Sequence, residues 1–213
     1  MCWKVVEVIA SVFAAIGTVA VAVLAIWGDF FKYRFAGPQL ELSLNNPRGD
    51  FTARTNQAHT VQTHAYFFHL KIRNRRLWSP AKDVRVLLQR IARRRPDLSF
   101  ITEPLVYPLP FAWTPSELGD FVRTIFDSET CDLGFLDQNG KPFALSTRFA
   151  PNNVQSYVAA GSAIRVEIVA SGQNATSKPL FLEIAWDGIW TDDRDDMQKH
   201  LVVKEITRAE FYH

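Results

Sequence analysis

From Val8 to Trp27 the chain carries 20 residues in a row without a charge and with few polar side chains. At 1.5 Å per residue a helix of that length is about 30 Å long, the thickness of a bilayer's hydrocarbon core. The stretch has no polar face, which suits lipid better than the surface of a soluble domain. The pattern therefore predicts one transmembrane helix. Trp3 and Trp27 bracket it, with Phe30, Phe31 and Tyr33 just beyond, where rings settle at headgroup level. The preceding segment is short and weakly basic, the run is longer than a signal-peptide core, and bulky Ile26–Phe31 offers no small-residue cleavage site. An uncleaved anchor over residues 1–36 is expected. Ala10, Ala14, Thr18 and Ala22 recur every fourth residue on one helix face, a spacing that permits close helix–helix approach and hence self-association or a partner helix.

Beyond Gly37-Pro38 the hydrophobic period changes to two, the mark of half-buried strands. Leu40, Leu42 and Leu44 alternate with Glu41 and Ser43. Tyr66, Phe68, Leu70 and Ile72 alternate with Phe67, His69, Lys71 and Arg73, and Val84, Val86 and Leu88 with Asp83, Arg85 and Leu87. Ile164, Val166 and Ile168 face away from Arg165 and Glu167; Leu180, Leu182, Ile184 and Trp186 face away from Phe181 and Glu183; Leu201–Ile206 reads as a last strand. Asn139-Gly140 signals a hairpin and Ser171–Asn174 a looser turn. Pro104, Pro108, Pro110 and Pro115 exclude a regular central strand from their stretch. Only Pro115–Phe121 and Asp192–His200 read as helical. Residues 37–213 are thus expected to form one mainly β domain, an immunoglobulin-like antiparallel sandwich.

Phe68-His69-Leu70-Lys71-Ile72-Arg73-Asn74, a turn, and Ala81-Lys82-Asp83-Val84-Arg85-Val86 resemble the strand–Asn–turn–Ala–strand segment of bacterial CARDB-type and fibronectin type III-like sandwiches. The resemblance covers about 20 residues. It departs at Arg75 and Arg76, where those families often carry glycine, and the cysteine pair of true immunoglobulin domains is absent. It implies binding or scaffolding and no fixed activity.

The net charge is only +2, but it is unevenly spread. Residues 37–110 carry twelve basic and five acidic side chains, and residues 111–213 carry nine and fifteen. Two clusters dominate, Lys71-Arg73-Arg75-Arg76 and Arg90-Arg93-Arg94-Arg95, both expected in loops at strand ends. They read first as a solvated face that keeps sheet edges from pairing; near a bilayer they would suit anionic headgroups, with a nucleic acid stacking on Trp78 as the less favoured ligand. The run Leu105–Trp113, with Tyr107, Phe111 and Trp113, reads either as core or as an apolar partner surface. Asp192, Asp193, Asp195 and Asp196 read as a solvated helix start rather than a Ca²⁺ loop, because they lack its alternating spacing and glycine.

No phosphate-cradling glycine loop, nucleophile elbow or zinc spacing is present, so no cofactor, metal or catalytic role is expected. His59, His64 and His69 recur every fifth residue and alternate faces in a strand. Cys131 reads as a buried thiol, and Glu103, Asp127 and Asp132 as the carboxylates to test if turnover were found. Cys2 and Cys131 make no disulfide framework, and Lys32, Arg34, Arg48 and Arg54 outweigh Lys4 across the anchor. The expectation is a single-pass membrane protein with a cytosolic sandwich that binds a protein partner or the membrane face. A tethered ligand sensor or enzyme, and a nucleic-acid or nucleotide binder using the basic loops, stay open as alternatives.

Overall fold

The computed structural model describes residues 2–31, 36–55, 61–115, 118–139 and 142–212. The chain divides into two compact units, Met1–Gly37 and Pro38–His213. The first is helix α1, Cys2–Phe31. Its apolar stretch, Trp3–Gly28, is long enough to cross a membrane, and none of it is buried within the structure. Its polar side chains turn back on the backbone: Ser11 Oγ donates to the Glu7 carbonyl at 2.9 Å and Thr18 Oγ1 to the Ala14 carbonyl at 2.8 Å. Lys32, Tyr33 and Arg34 lie outside the described residues.

The second unit is a mainly β sandwich of two antiparallel sheets. Its strands are β1 (Leu40–Leu44), β2 (Asp50–Thr55), β3 (Val61–Asn74), β4 (Ala81–Arg94), β5 (Phe100–Glu103), β6 (Leu109–Pro110), β7 (Arg123–Ile125), β8 (Ser128–Asp137), β9 (Phe143–Leu145), β10 (Tyr157–Val158), β11 (Ser162–Ser171), β12 (Leu180–Trp186) and β13 (Leu201–Glu205). The first sheet runs β1-β3-β8-β9-β10, with β2 beside β1 along the same strand, β3. The second runs β13-β12-β11-β4-β5, with β6 and β7 also on β4.

Alternation builds the core as the sequence predicts. Tyr66, Phe68, Leu70 and Ile72 of β3 join Val84, Val86, Leu88, Ile164, Val166, Ile168, Leu182 and Ile184 in one buried cluster. Strand β4 runs six residues past Leu88. There Leu88 pairs with Ile168 and Arg90 with Glu167, so Gln89 is an extra residue, a β-bulge that resets the inward phase to Ile91. Phe181 points outward, yet the short helix α3 (Arg208–Tyr212) covers it. The Phe181 and Phe211 rings sit 5.4 Å apart over Ala92 in a second, smaller cluster.

Helix α2 is Arg194–His200. The Asp193 carboxylate caps it, accepting the Asp195 and Asp196 amides at 2.9 Å each. In Pro115–Phe121, residues 116–117 lie outside the described ones and the flanking residues form no α-helix. Gly140 is likewise undescribed, but β8 and β9 pair antiparallel on either side of it.

Candidate functional site

Asn74 organises one end of the sandwich. It is the last residue of β3 and fully buried. Its Oδ1 accepts the Gln39 and Arg76 amides, both at 3.1 Å. Its Nδ2 donates to the Ser79 carbonyl at 2.8 Å and the Ile125 carbonyl at 3.3 Å. One primary amide thereby fixes three backbone segments: the stretch leading into β1, the β3–β4 turn and the β7–β8 turn. Ala81, the other residue of the family-like pattern, is buried in the core at the start of β4.

Within that frame the Ser79 amide donates to the Arg76 carbonyl at 3.0 Å, closing a tight turn with Leu77 and Trp78 at its centre. Both side chains face solvent, Trp78 74% and Leu77 61% exposed. Phe126, at the tip of the neighbouring β7–β8 turn, is 65% exposed. Lys71 and Arg73 are exposed on β3 itself, not in a loop, and Arg75 pairs with Glu41 beside the turn.

The second basic cluster is elsewhere. Arg90, Arg93 and Arg94 lie inside β4, and only Arg95 is in the following turn. Because β4 starts at the Asn74 end, its 14 residues carry Arg94 to the opposite end, roughly 43 Å away at 3.3 Å per residue. The two clusters therefore lie toward different ends of the sandwich, and Arg90, Arg93 and Arg94 sit within a strand where loops were expected. The second set is also largely consumed within the fold. Arg93, 17% exposed, meets Glu103 at 2.7 Å and donates to the Gln155 and Tyr157 carbonyls at 2.8 and 3.1 Å. Arg94 donates to the Gly161 carbonyl at 3.1 Å, and Arg90 approaches Glu167 at 3.5 Å and lies over the Tyr212 ring.

The Pro-rich aromatic stretch is core rather than partner surface at two of its three marked positions. Leu109 and Pro110 pair with β4 of the second sheet, and residues 111–114 then cross to the edge of β8 in the first. This crossing buries Phe111 and Trp113 between the sheets. Tyr107 alone stays half exposed, its ring 5.7 Å from that of Phe149.

On the outer face of the first sheet, His69 Nδ1 meets Asp132 Oδ1 at 2.9 Å, and Thr114 Oγ1 donates to the same oxygen. The hydrogen bond to Asp132 raises the His69 pKa above the usual imidazole value against the opposing effect of burial, with the Asp132 and Asp50 charges adding to the rise. Phe67 and Phe135 stack beside it at 5.5 Å. Asp127 is exposed at the β7–β8 tip, remote from both Asp132 and Glu103 in the fold, and Glu103 is tied to Arg93. The three carboxylates are not brought together. Burial pushes the Cys131 thiol well above its ordinary pKa, the opposite of a reactive cysteine. His64 stacks on Phe51 at 5.2 Å, and His59 lies outside the described residues. Among the described residues no three His, Cys, Asp or Glu side chains converge as metal ligands would. The acidic cluster is spent on the α2 cap and on pairs with Arg48 and Lys199. Ala10, Ala14, Thr18 and Ala22 lie unburied along one face of α1.

Sequence reasoning marked the arginines and Trp78 but missed Leu77 and Phe126. The available signal was the pair Leu77-Trp78 between Arg76 and Ser79-Pro80. Turn centres ordinarily take Gly, Asn, Asp or Pro, so two large apolar residues there are an anomaly. Comparison with known proteins adds no assignment: the sequence matches no family model, and no curated protein matches it significantly.

Proposed function

We propose that this protein is a single-pass membrane-anchored β-sandwich with its sandwich in the cytosol, serving as an interaction module for a protein partner or the membrane face. The observation that carries this reading is α1. The stretch Trp3–Gly28 of this helix, strongly apolar and unburied, would be costly in water and suits a bilayer. The Asn74 end of the sandwich is its best recognition surface. It combines a rigid scaffold, three protruding apolar side chains and flanking cations, the composition of a contact patch rather than a solvated loop. The CARDB-type and fibronectin III-like pattern over Phe68–Val86 fits a binding or scaffolding role.

The test is alkaline carbonate extraction of membranes, followed by protease treatment of spheroplasts carrying a C-terminally tagged chain. Retention in the membrane pellet, with the tag protected until detergent is added, is the expected result. A shortened, extractable product would make α1 a cleaved leader and overturn the reading. Digestion in intact spheroplasts would put the sandwich outside the cytosol.

A further inference from the structure

The β3–β4 turn exposes what folding ordinarily hides. Leu77 and Trp78 occupy the centre of a tight turn, where backbone geometry drives side chains outward and conformational adjustment cannot bury them. The Asn74 amide bonds the Ser79 and Ile125 carbonyls at once, so the Leu77-Trp78 tip and the Phe126 tip stand side by side on one buried anchor point. The two loop tips so held present Leu77, Trp78 and Phe126 to solvent.

Cations flank the tips, with acidic side chains among them. Arg73 is exposed on β3, Arg75 lies beside Glu41, and Lys82 is exposed at the start of β4. Asp127 on the Phe126 turn and Asp83 beside Lys82 are exposed acidic side chains. An indole, a phenyl ring and a leucine with exposed arginine and lysine nearby match the layered chemistry of a bilayer surface. Apolar groups enter the acyl boundary, indole favours the headgroup level, and guanidinium groups reach phosphates. A nucleic acid would use the cations and the rings, but Leu77 would have no role.

Chain connectivity supplies the occupant. Gln39 is bonded to this end from both sides, its amide to Asn74 Oδ1 and its carbonyl to the Arg75 amide. From Phe31, where α1 ends, to Gln39 the chain can extend at most about 28 Å. The sandwich is therefore tethered by the very end that bears the tips. The headgroup layer is the surface that a tether of this length keeps at high effective concentration.

We propose that the Asn74 end of the sandwich docks on the phospholipid surface of the membrane crossed by α1, with Leu77, Trp78 and Phe126 immersed and Arg73 against lipid phosphates. The proposal rests on the reading of α1 as an anchor. It assigns lipid, rather than protein, to this surface.

The test uses the full chain in lipid nanodiscs, with Cys2→Ser so that the buried Cys131 is the remaining native thiol. A nitroxide is placed on Leu77→Cys in one sample and on Val19→Cys in another, and collision with oxygen and with a water-soluble nickel chelate reports depth. The expected result is a hydrocarbon-buried label at 19 and an immersed label at 77, more fully immersed when phosphatidylserine is added. Trp78→Ala with Phe126→Ala should lower the immersed fraction at 77 about tenfold or more. Arg73→Ala should blunt the response to phosphatidylserine. Native circular dichroism of these variants shows that the fold has survived. A hydrocarbon label at 19 with an aqueous label at 77 overturns the docking and leaves the anchor standing. Aqueous labels at both positions overturn both. A label at 77 shielded in native membranes but aqueous in nanodiscs also overturns the proposal, since a protein then covers the surface.

Discussion

Replacing Asn74 by alanine strips four close hydrogen bonds from one buried point, and a longer one of 3.5 Å to the Phe126 carbonyl. The Gln39 and Arg76 amides lose their acceptor, and the Ser79 and Ile125 carbonyls lose their donor. A typical intramolecular hydrogen bond is worth about 1 kcal/mol net, and an orphaned buried group costs about 1–3 kcal/mol. Gln39 is exposed, and Arg76 and Ser79 are partly so, so water recovers some of that loss. A cost of about 3 kcal/mol results, or roughly 6–12 °C in Tm for a domain of this size. Denaturant unfolding of the full chain in detergent, followed by tryptophan fluorescence, measures it. Asn74→Asp supplies the discriminating control. It keeps the shape and the acceptor but turns a carboxylate toward two carbonyl oxygens, which raises its pKa. The variant should be at least as unstable as alanine at neutral pH, and should recover as acid protonates the group and restores a donor. A loss below about 1 kcal/mol for alanine, or an aspartate variant as stable as the native chain, would refute the role given to Asn74.

His69 makes stability pH-dependent. Its folded pKa is raised, so its contribution is complete below the ordinary imidazole value and is lost as pH rises through the folded value. Unfolding midpoints should fall across that interval, and His69→Gln should flatten the profile. Arg93→Ala should cost about 2 kcal/mol, between an exposed pair and a fully buried one, by stranding the partly buried Glu103. Arg73→Ala should change stability by less than about 0.5 kcal/mol; equal costs for the two in urea titrations would contradict the division of the basic residues. Gly134→Ala should destabilise by about 1–3 kcal/mol, because a Cβ there would stand 2.4 Å from the Ala144 carbonyl oxygen and 2.8 Å from the Phe143 ring. A native-like melting profile would sink that argument.

Strands with one clean buried face announced themselves. Strands β3, β11 and β12 were visible because Tyr66–Ile72, Ile164–Ile168 and Leu180–Trp186 alternate without interruption. Strand β4 was visible only to Leu88, since the extra residue Gln89 shifts the phase and makes Leu87-Leu88 and Ile91-Ala92 look aperiodic. Strand β2 pairs along an edge of β3, and several of its polar residues meet water, so no alternation marks it. The basic residues of the candidate site were plain, but their separation was not. It depends on β4 being 14 residues long, hence on the bulge. Asn74 was recognisable as a turn residue. Its role as a hub depends on Gln39 and Ile125 arriving from distant segments, which no local pattern encodes.

Among the described residues the four strands of ten or more residues, β3, β4, β8 and β11, all have neighbours on both sides. The rims are made of short pieces: β1 and β2 share one margin of β3, while β5, β6 and β7 divide that of β4. If α1 confines the chain to a membrane, copies would meet in two dimensions, at local densities far above those of the same number of molecules in solution. Under such crowding a long bare margin would be a template on which a second copy could add its own strand, and fibrous growth would follow. Rims of two to six residues, broken by turns, offer no such rail. The fragmentation lets neighbouring copies of the sandwich crowd together without pairing along their edges.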